Sequence, residues 1–153
     1  MITTENDKFY RGAQFQAFFK NSNRSLVLKA DAPHFTILAV SDTYLSLTHK
    51  RREQLLEKGL FEVFPDNPGD VDANGVANLY ASLRTADQTG RPHEMAIQRY
   101  DIRDEAGLFV ERHWRPINTP VMDDDGKVIA LLHHVEEVTH AELSLSTGRP
   151  PDP

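Results

Sequence analysis

Two apolar runs separated by an Asp123-Asp124-Asp125-Gly126 turn constrain this chain more than any other feature; one carries Trp114, Ile117 and Val121, and the other reads Val128-Ile129-Ala130-Leu131-Leu132-His133-His134-Val135. Asp and Gly tolerate the positive φ that a short hairpin loop needs, and glycine does so without steric penalty. The turn therefore pins the register of two long strands. The second run is rich in branched and aliphatic residues and too short, between acidic flanks, to span a bilayer. Alternation along it puts Leu131, His133 and Val135 on one face and Leu132, His134 and Glu136 on the other.

Around this hairpin the rest of the chain falls into alternating helical and extended patterns. Phe15, Phe18 and Phe19 stand at helical spacing and predict a helix from residue 14, ended by Asn21-Ser22-Asn23, with 1–13 a tail or capping segment. Residues 25–31 and 34–40 read as two strands about the Asp31-Ala32-Pro33 turn. Ser41-Asp42 can cap a short helix through Tyr44, Leu45 and Leu47; 51–58 predicts another, stopped by Gly59, and 61–68 a loop. Val76, Leu79, Tyr80 and Leu83 form one apolar stripe at i, i+3, i+4 and i+7 on a helix reaching about Thr89 and stopping at Gly90. Three strands follow, 94–103, 108–121 and 127–138, the first two joined by Asp104-Glu105-Ala106-Gly107. The pattern lapses from Leu143, and the Gly- and Pro-containing stretch 148–153 cannot continue a helix or a strand.

Length and composition bound what this order can build. A chain of 153 residues, 39% hydrophobic and 26% charged, has the size of one globular domain with a single core, expected over 14–140 with a tail or linker over 141–153. Residues 1–8 are polar, so no secretion signal opens the chain, and no segment is long enough for a membrane helix; a soluble, cytoplasmic protein is expected. The net charge of −6 divides into nine basic and six acidic residues over 1–60 and eight and seventeen over 61–153. That acidic balance argues against a nucleic-acid partner. The absence of cysteine excludes disulfides, thiolate metal sites, thioether-linked haem and a Cys nucleophile.

Several strings sit in this order in a telling way: Tyr44-Leu45-x-x-Thr48, Phe61-x-x-Phe64-Pro65-Asp66-Asn67-Pro68, Arg99-Tyr100-Asp101-Ile102, Trp114-x-Pro116-x-Asn118-x-Pro120-Val121, and the closing Glu137-Val138-Thr139. Together they resemble PAS domains, in particular PAS modules of bacterial sensor histidine kinases, whose last strand ends in Asp-Ile/Val-Thr. Ser41 stands where many such domains place Asn, and Glu137 replaces the Asp; both keep polar capping ability. The resemblance implies an α+β fold, a five-stranded antiparallel sheet with short helices and one longer connecting helix on one face. It also implies a signal-transduction sensor without catalytic residues, binding a small molecule, forming a homodimer and regulating an output domain such as a histidine kinase. In that order of elements the apolar faces of the long helix and the final strands meet. The ligand-binding residues are then expected to be Tyr44, Leu79, Leu83, Met95, Ile97, Leu131 and His133, with His133 the polar anchor. Self-association is expected through Phe15, Phe18 and Phe19.

The cofactor is unknown from sequence. Flavin photoadducts in related domains need a Cys in an Asn-Cys-Arg string that is missing here, and the oxygen-sensing haem relatives carry an axial His on the long helix, where 73–89 has none, though His133 or His113 could ligate from the sheet. Asp70-x-Asp72-x-Asn74-Gly75 matches half a calcium loop, but position twelve is Ala81, so capping of the following helix is the expected role. Asp123-Asp124-Asp125 reads as a solvated turn, and His49-Lys50-Arg51-Arg52 as a solvated face. Two rivals remain at this point: a ligand-free dimerisation module, and a small α+β enzyme that would need Glu111, His113 and His133 in one pocket.

Overall fold

The computed structural model of this chain describes residues 5–146; the expected break over 148–153 lies outside them. The elements are α1 (Glu5–Arg11), α2 (Ala13–Phe19), β1 (Ser25–Lys29), β2 (Ile37–Val40), α3 (Asp42–Thr48), α4 (Arg52–Leu55), α5 (Leu60–Val63), α6 (Gly75–Thr89), β3 (His93–Glu94), β4 (Gln98–Arg99), β5 (Ile102–Arg103), β6 (Phe109–Val110), β7 (His113–Met122), β8 (Val128–Val138) and α7 (His140–Ser146). The sheet is antiparallel in the order β2-β1-β8-β7-β3, with β4 also on β7, and β5–β6 form a separate ribbon. It therefore has the expected five positions across, the outermost being shared by two short pieces.

The β7–β8 hairpin is the spine. Asp123 Oδ1 accepts from the backbone N–H groups of Asp125 and Lys127, both at 2.9 Å, and Gly126 takes φ 81°, so the acidic turn is fastened by its own side chain. The ladder then runs from Met122↔Val128 to His113↔Val138.

The strand expected over 94–103 is broken, and proline explains why. Pro116 gives its carbonyl to Met95 N at 3.0 Å, so its nitrogen faces the same edge, where it has no hydrogen to donate; Pro120 has the same parity. A strand cannot zip along such an edge. Pairing jumps from Glu94↔Ile117 to Gln98↔Trp114, four residues against three, which is a bulge of one residue.

Both faces of the sheet are covered. Leu26, Leu28, Leu131 and Val135 pack with Leu55, Leu60, Leu79, Leu83 and fully buried Phe35 under α3 to α6. On the opposite face Tyr10 and Phe19 from α1 and α2 cover Val27, Ala39 and Ala130. Residues 5–11 form a capping helix, anchored by the buried Asp7 carboxylate, which accepts from Lys29 Nζ at 2.8 Å. The expected three-Phe stripe divides: Phe19 is buried, Phe15 is half-buried against Phe9, Tyr10 and Phe19, and Phe18 is exposed.

Three helix ends differ from expectation. Gly59 does not stop α4; it lies extended at φ −69° and opens α5, which occupies part of the expected loop. The N–H of Val76, in the first turn of α6, is satisfied by Asp66 Oδ1 at 3.1 Å, while Asp70 accepts instead from Asp72 N and lies 3.6 Å from Arg99. Beyond β8 the chain turns into α7 through a reciprocal cap, Thr139 N to Glu142 Oε2 at 3.3 Å and Glu142 N to Thr139 Oγ1 at 3.2 Å. Among the described residues no helix is long and apolar enough to cross a membrane, and no group of His, Cys, Asp and Glu side chains is placed to hold a metal ion.

Candidate functional site

The sequence elements converge on a cavity between the inner sheet face and α3, α5 and α6. Its floor is the even-numbered face of β7, Trp114 and Pro116, beside the odd-numbered face of β8, His133 and Val135. Ser41 sets one wall: its Oγ accepts from Tyr44 N at 3.3 Å and from Ser25 N at 3.0 Å, starting α3 in the direction that carries Tyr44 and Thr48 inward. Leu60 and Phe64 come from the α5 segment, Gly75 and Leu79 from α6, and Met95, Gln98, Tyr100 and Ile102 from the broken edge.

Of the seven expected site residues, Tyr44, Leu79, Met95 and His133 line this cavity. Leu83 and Leu131 are fully buried in the same apolar cluster but do not reach it. Ile97 is half-buried and outside it, because the one-residue bulge after Met95 exchanges the faces of the strand, so that Gln98, Tyr100 and Ile102 point inward. The polar enzyme set does not assemble. His113 belongs to the odd-numbered face of β7, opposite to Trp114, and meets Glu111 at 3.8 Å, whereas His133 is on the inner face.

His133 is 2% exposed, and burial, then the neighbouring charge of His134, lowers its pKa to about 3. It is neutral throughout the ordinary pH range. Its Nδ1 lies 2.6 Å from Asn118 Oδ1; Asn118 Nδ2 donates to Ser82 Oγ at 2.8 Å, and Ser82 Oγ lies 2.6 Å from His93 Nδ1. Asn118, fully buried, thus joins β8, α6 and β3 through side chains. The Tyr44 ring stands edge-on to the imidazole at 6.1 Å, its hydroxyl kept protonated by burial.

The loop before α6 is tied to the edge by polar bonds. Tyr100 Oη donates to Phe64 O at 2.5 Å, Trp114 Nε1 donates to Tyr100 O at 2.8 Å, and the nearly buried Asp101 carboxylate accepts from both Arg99 and Asn67. Burial alone would raise the Asp101 pKa, but the Arg99 and Asn67 hydrogen bonds, the Arg99 charge and the Arg112 N–H together bring it below the ordinary carboxylate value.

The closest approach at the wall is Gly75. A Cβ there would lie 2.6 Å from Tyr100 Cδ2 and 3.0 Å from Cγ, a separation that bonded-out carbons do not tolerate. Gly75→Ala is expected to displace the Tyr100 ring, lower stability by about 1–2 kcal/mol and shift the emission of Trp114. Urea unfolding followed by that fluorescence checks it; an unchanged midpoint and spectrum would contradict the packing described.

The cavity has about 40 Å³ of free interior, against the ~10–15 Å³ one water needs. Its lining is mostly apolar, with polar points at the His133 imidazole and the side chains of Tyr44, Thr48, Gln98 and Tyr100, an arrangement able to hold a small molecule.

Comparison with known proteins agrees with this architecture. The family described as PAS fold matches residues 19–143. The light-state structure of the blue-light photoreceptor Aureochrome1 LOV is 16% identical, with a TM-score of 0.54 over 88% of this chain and 94% of that one. A Rhodobacter sphaeroides LOV protein is 14% identical, with a TM-score of 0.60 over 95% of this chain and 74% of that one. A light-oxygen-voltage domain studied with a flavin analogue is 13% identical, at 0.60 over 90% and 93%. These likenesses are of fold. Among curated protein sequences none matches.

Proposed function

The chain belongs to the PAS fold family, and from that premise we propose that it is a sensor domain that admits a small, mostly apolar molecule beside His133 and regulates an output domain such as a histidine kinase. The observation that carries this reading is a cavity with apolar walls and one neutral, buried imidazole at its floor. A tricyclic flavin, the group whose analogue is named for one neighbour, does not fit about 40 Å³, and the chain has no cysteine for an adduct. Native mass spectrometry of the purified chain, with an absorption spectrum, tests the reading. Retained small-molecule mass without flavin or Soret absorption is expected, and a stoichiometric flavin or haem would overturn it.

A dimer is part of this proposal, with a different surface from the three-Phe stripe. Phe15 and Phe19 cover the chain's own sheet, which leaves Phe18, 80% exposed, and Phe9, 61% exposed, on α1 and α2. Bare rings of this size favour a second apolar surface. Changing Phe9 and Phe18 together to Ser is expected to move sedimentation from dimer to monomer with an unaltered circular dichroism spectrum; a wild-type protein already monomeric would sink the claim. The narrowness of the cavity favours a second reading, a dimerisation module without ligand, and the mass spectrum separates the two.

A further inference from the structure

We infer that the ligand of this cavity presents a hydrogen-bond donor, an N–H or O–H group, to Nε2 of His133. This deepens the small-molecule sensor reading and rests on it. The polarity of the buried chain of bonds fixes the imidazole tautomer. Asn118 Nδ2 faces both Ser82 Oγ at 2.8 Å and Met95 Sδ at 3.8 Å; a thioether sulfur only accepts, so the amino group belongs on that side. Its carbonyl oxygen therefore faces His133 Nδ1 at 2.6 Å. A carbonyl oxygen also only accepts, so Nδ1 carries the hydrogen. Ser82 Oγ, which accepts from Asn118, lies 2.6 Å from His93 Nδ1 and can donate to it or accept from it through its second lone pair; either leaves the Asn118–His133 polarity unchanged.

A neutral imidazole protonated at Nδ1 has a bare lone pair at Nε2. That atom makes no hydrogen bond among the described residues. It is also not sealed into a wall: Arg24 Nε is the one fully enclosed side-chain N or O atom without a partner among them. His133 lines the cavity, so the lone pair faces its interior. A carboxylate or a bare carbonyl there would meet lone pair against lone pair, whereas an alcohol, phenol or pyrrole-type N–H completes the bond. The class is a small, uncharged molecule with a donor on an apolar frame, to which the Tyr44 hydroxyl, also in the lining, can add a second bond.

Methanol and fluoromethane, both small enough for about 40 Å³, have nearly the same shape and differ in the donor, and Trp114, the single tryptophan of the chain, reports on both from the cavity wall. Titration of the wild-type chain should show methanol binding about tenfold more tightly than fluoromethane, as one buried hydrogen bond implies. A His133→Leu variant should lose that preference. Two-bond proton–nitrogen spectra of the wild-type imidazole, which need no variant, should place the hydrogen on Nδ1. Equal binding of the two probes, or a hydrogen on Nε2, overturns the donor rule and leaves the pocket reading standing. Binding of neither probe overturns both.

Discussion

Asn118→Leu is expected to lower the stability of the domain by about 1–2 kcal/mol, although it exchanges one side chain for another of nearly equal volume. Three effects combine. The His133 Nδ1–H loses its acceptor inside the core, a penalty of about 1–3 kcal/mol for an unpaired buried donor. The bond to Ser82 is lost, at about 0.5–1.5 kcal/mol. Burying an apolar side chain in this fully enclosed site offsets part of the loss, by about 1.5 kcal/mol. Urea unfolding at neutral pH measures the sum, and Ser82→Ala, which cuts the chain of bonds one step away from the imidazole, should lose less. No loss at all for Asn118→Leu would mean that His133 finds another acceptor, and the polarity assigned to the chain of bonds would fall with it.

Acid is expected to weaken the fold well before the carboxylates protonate. The imidazole of His133 has its pKa lowered to about 3 in the folded chain and about 6.5 when unfolded. Between those values the unfolded state takes up a proton that the folded state refuses, so stability is full above about pH 6.5 and falls as pH drops toward 3. The slope is about 1.4 kcal/mol per pH unit, which amounts to about 2–3 kcal/mol lost from His133 alone on going from pH 7 to 4.5. Asp101 acts lower: its pKa is depressed on folding, so its contribution is present above about 3.9 and disappears as pH falls through the folded value. Unfolding free energies at pH 7, 6 and 4.5, for the wild type and for His133→Gln, isolate the first term. The variant should have the flatter profile; parallel profiles would show that His133 is not the group responsible.

How far these properties were legible in the sequence depends on what periodicity can see. The hairpin and the Val76–Leu83 stripe were readable because each writes its own period, and β8 does place Leu131, His133 and Val135 inward. Tyr44 was reachable through the Ser41 cap. Ile97 was misplaced because alternation assumes an unbroken strand, and the bulge comes from Pro116 on the neighbouring strand, which no local window over 94–103 contains. Asn118 was missed for a different reason. Its string, Trp114-x-Pro116-x-Asn118, already shows a shared face, but an Asn on an inner face signals only that some partner exists. That the partners would be His133 and Ser82 follows from the pairing Asn118↔His133 across β7 and β8 and from the docking of α6. The α7 cap, by contrast, was in plain view as Thr139-x-x-Glu142.

The two covers of the sheet are fastened by different means, and salt distinguishes them. α3 to α6 sit on apolar contacts. α1 is held at one end by Lys29 and Asp7, whose side chains are 15% and 3% exposed, and at the other by Arg11 and Glu57, at 30% and 51%. Mobile ions screen the second pair and scarcely reach the first. Rising ionic strength therefore loosens α1 first at its Arg11 corner, while the Asp7 corner and the apolar seat of Tyr10 on the sheet hold the helix in place.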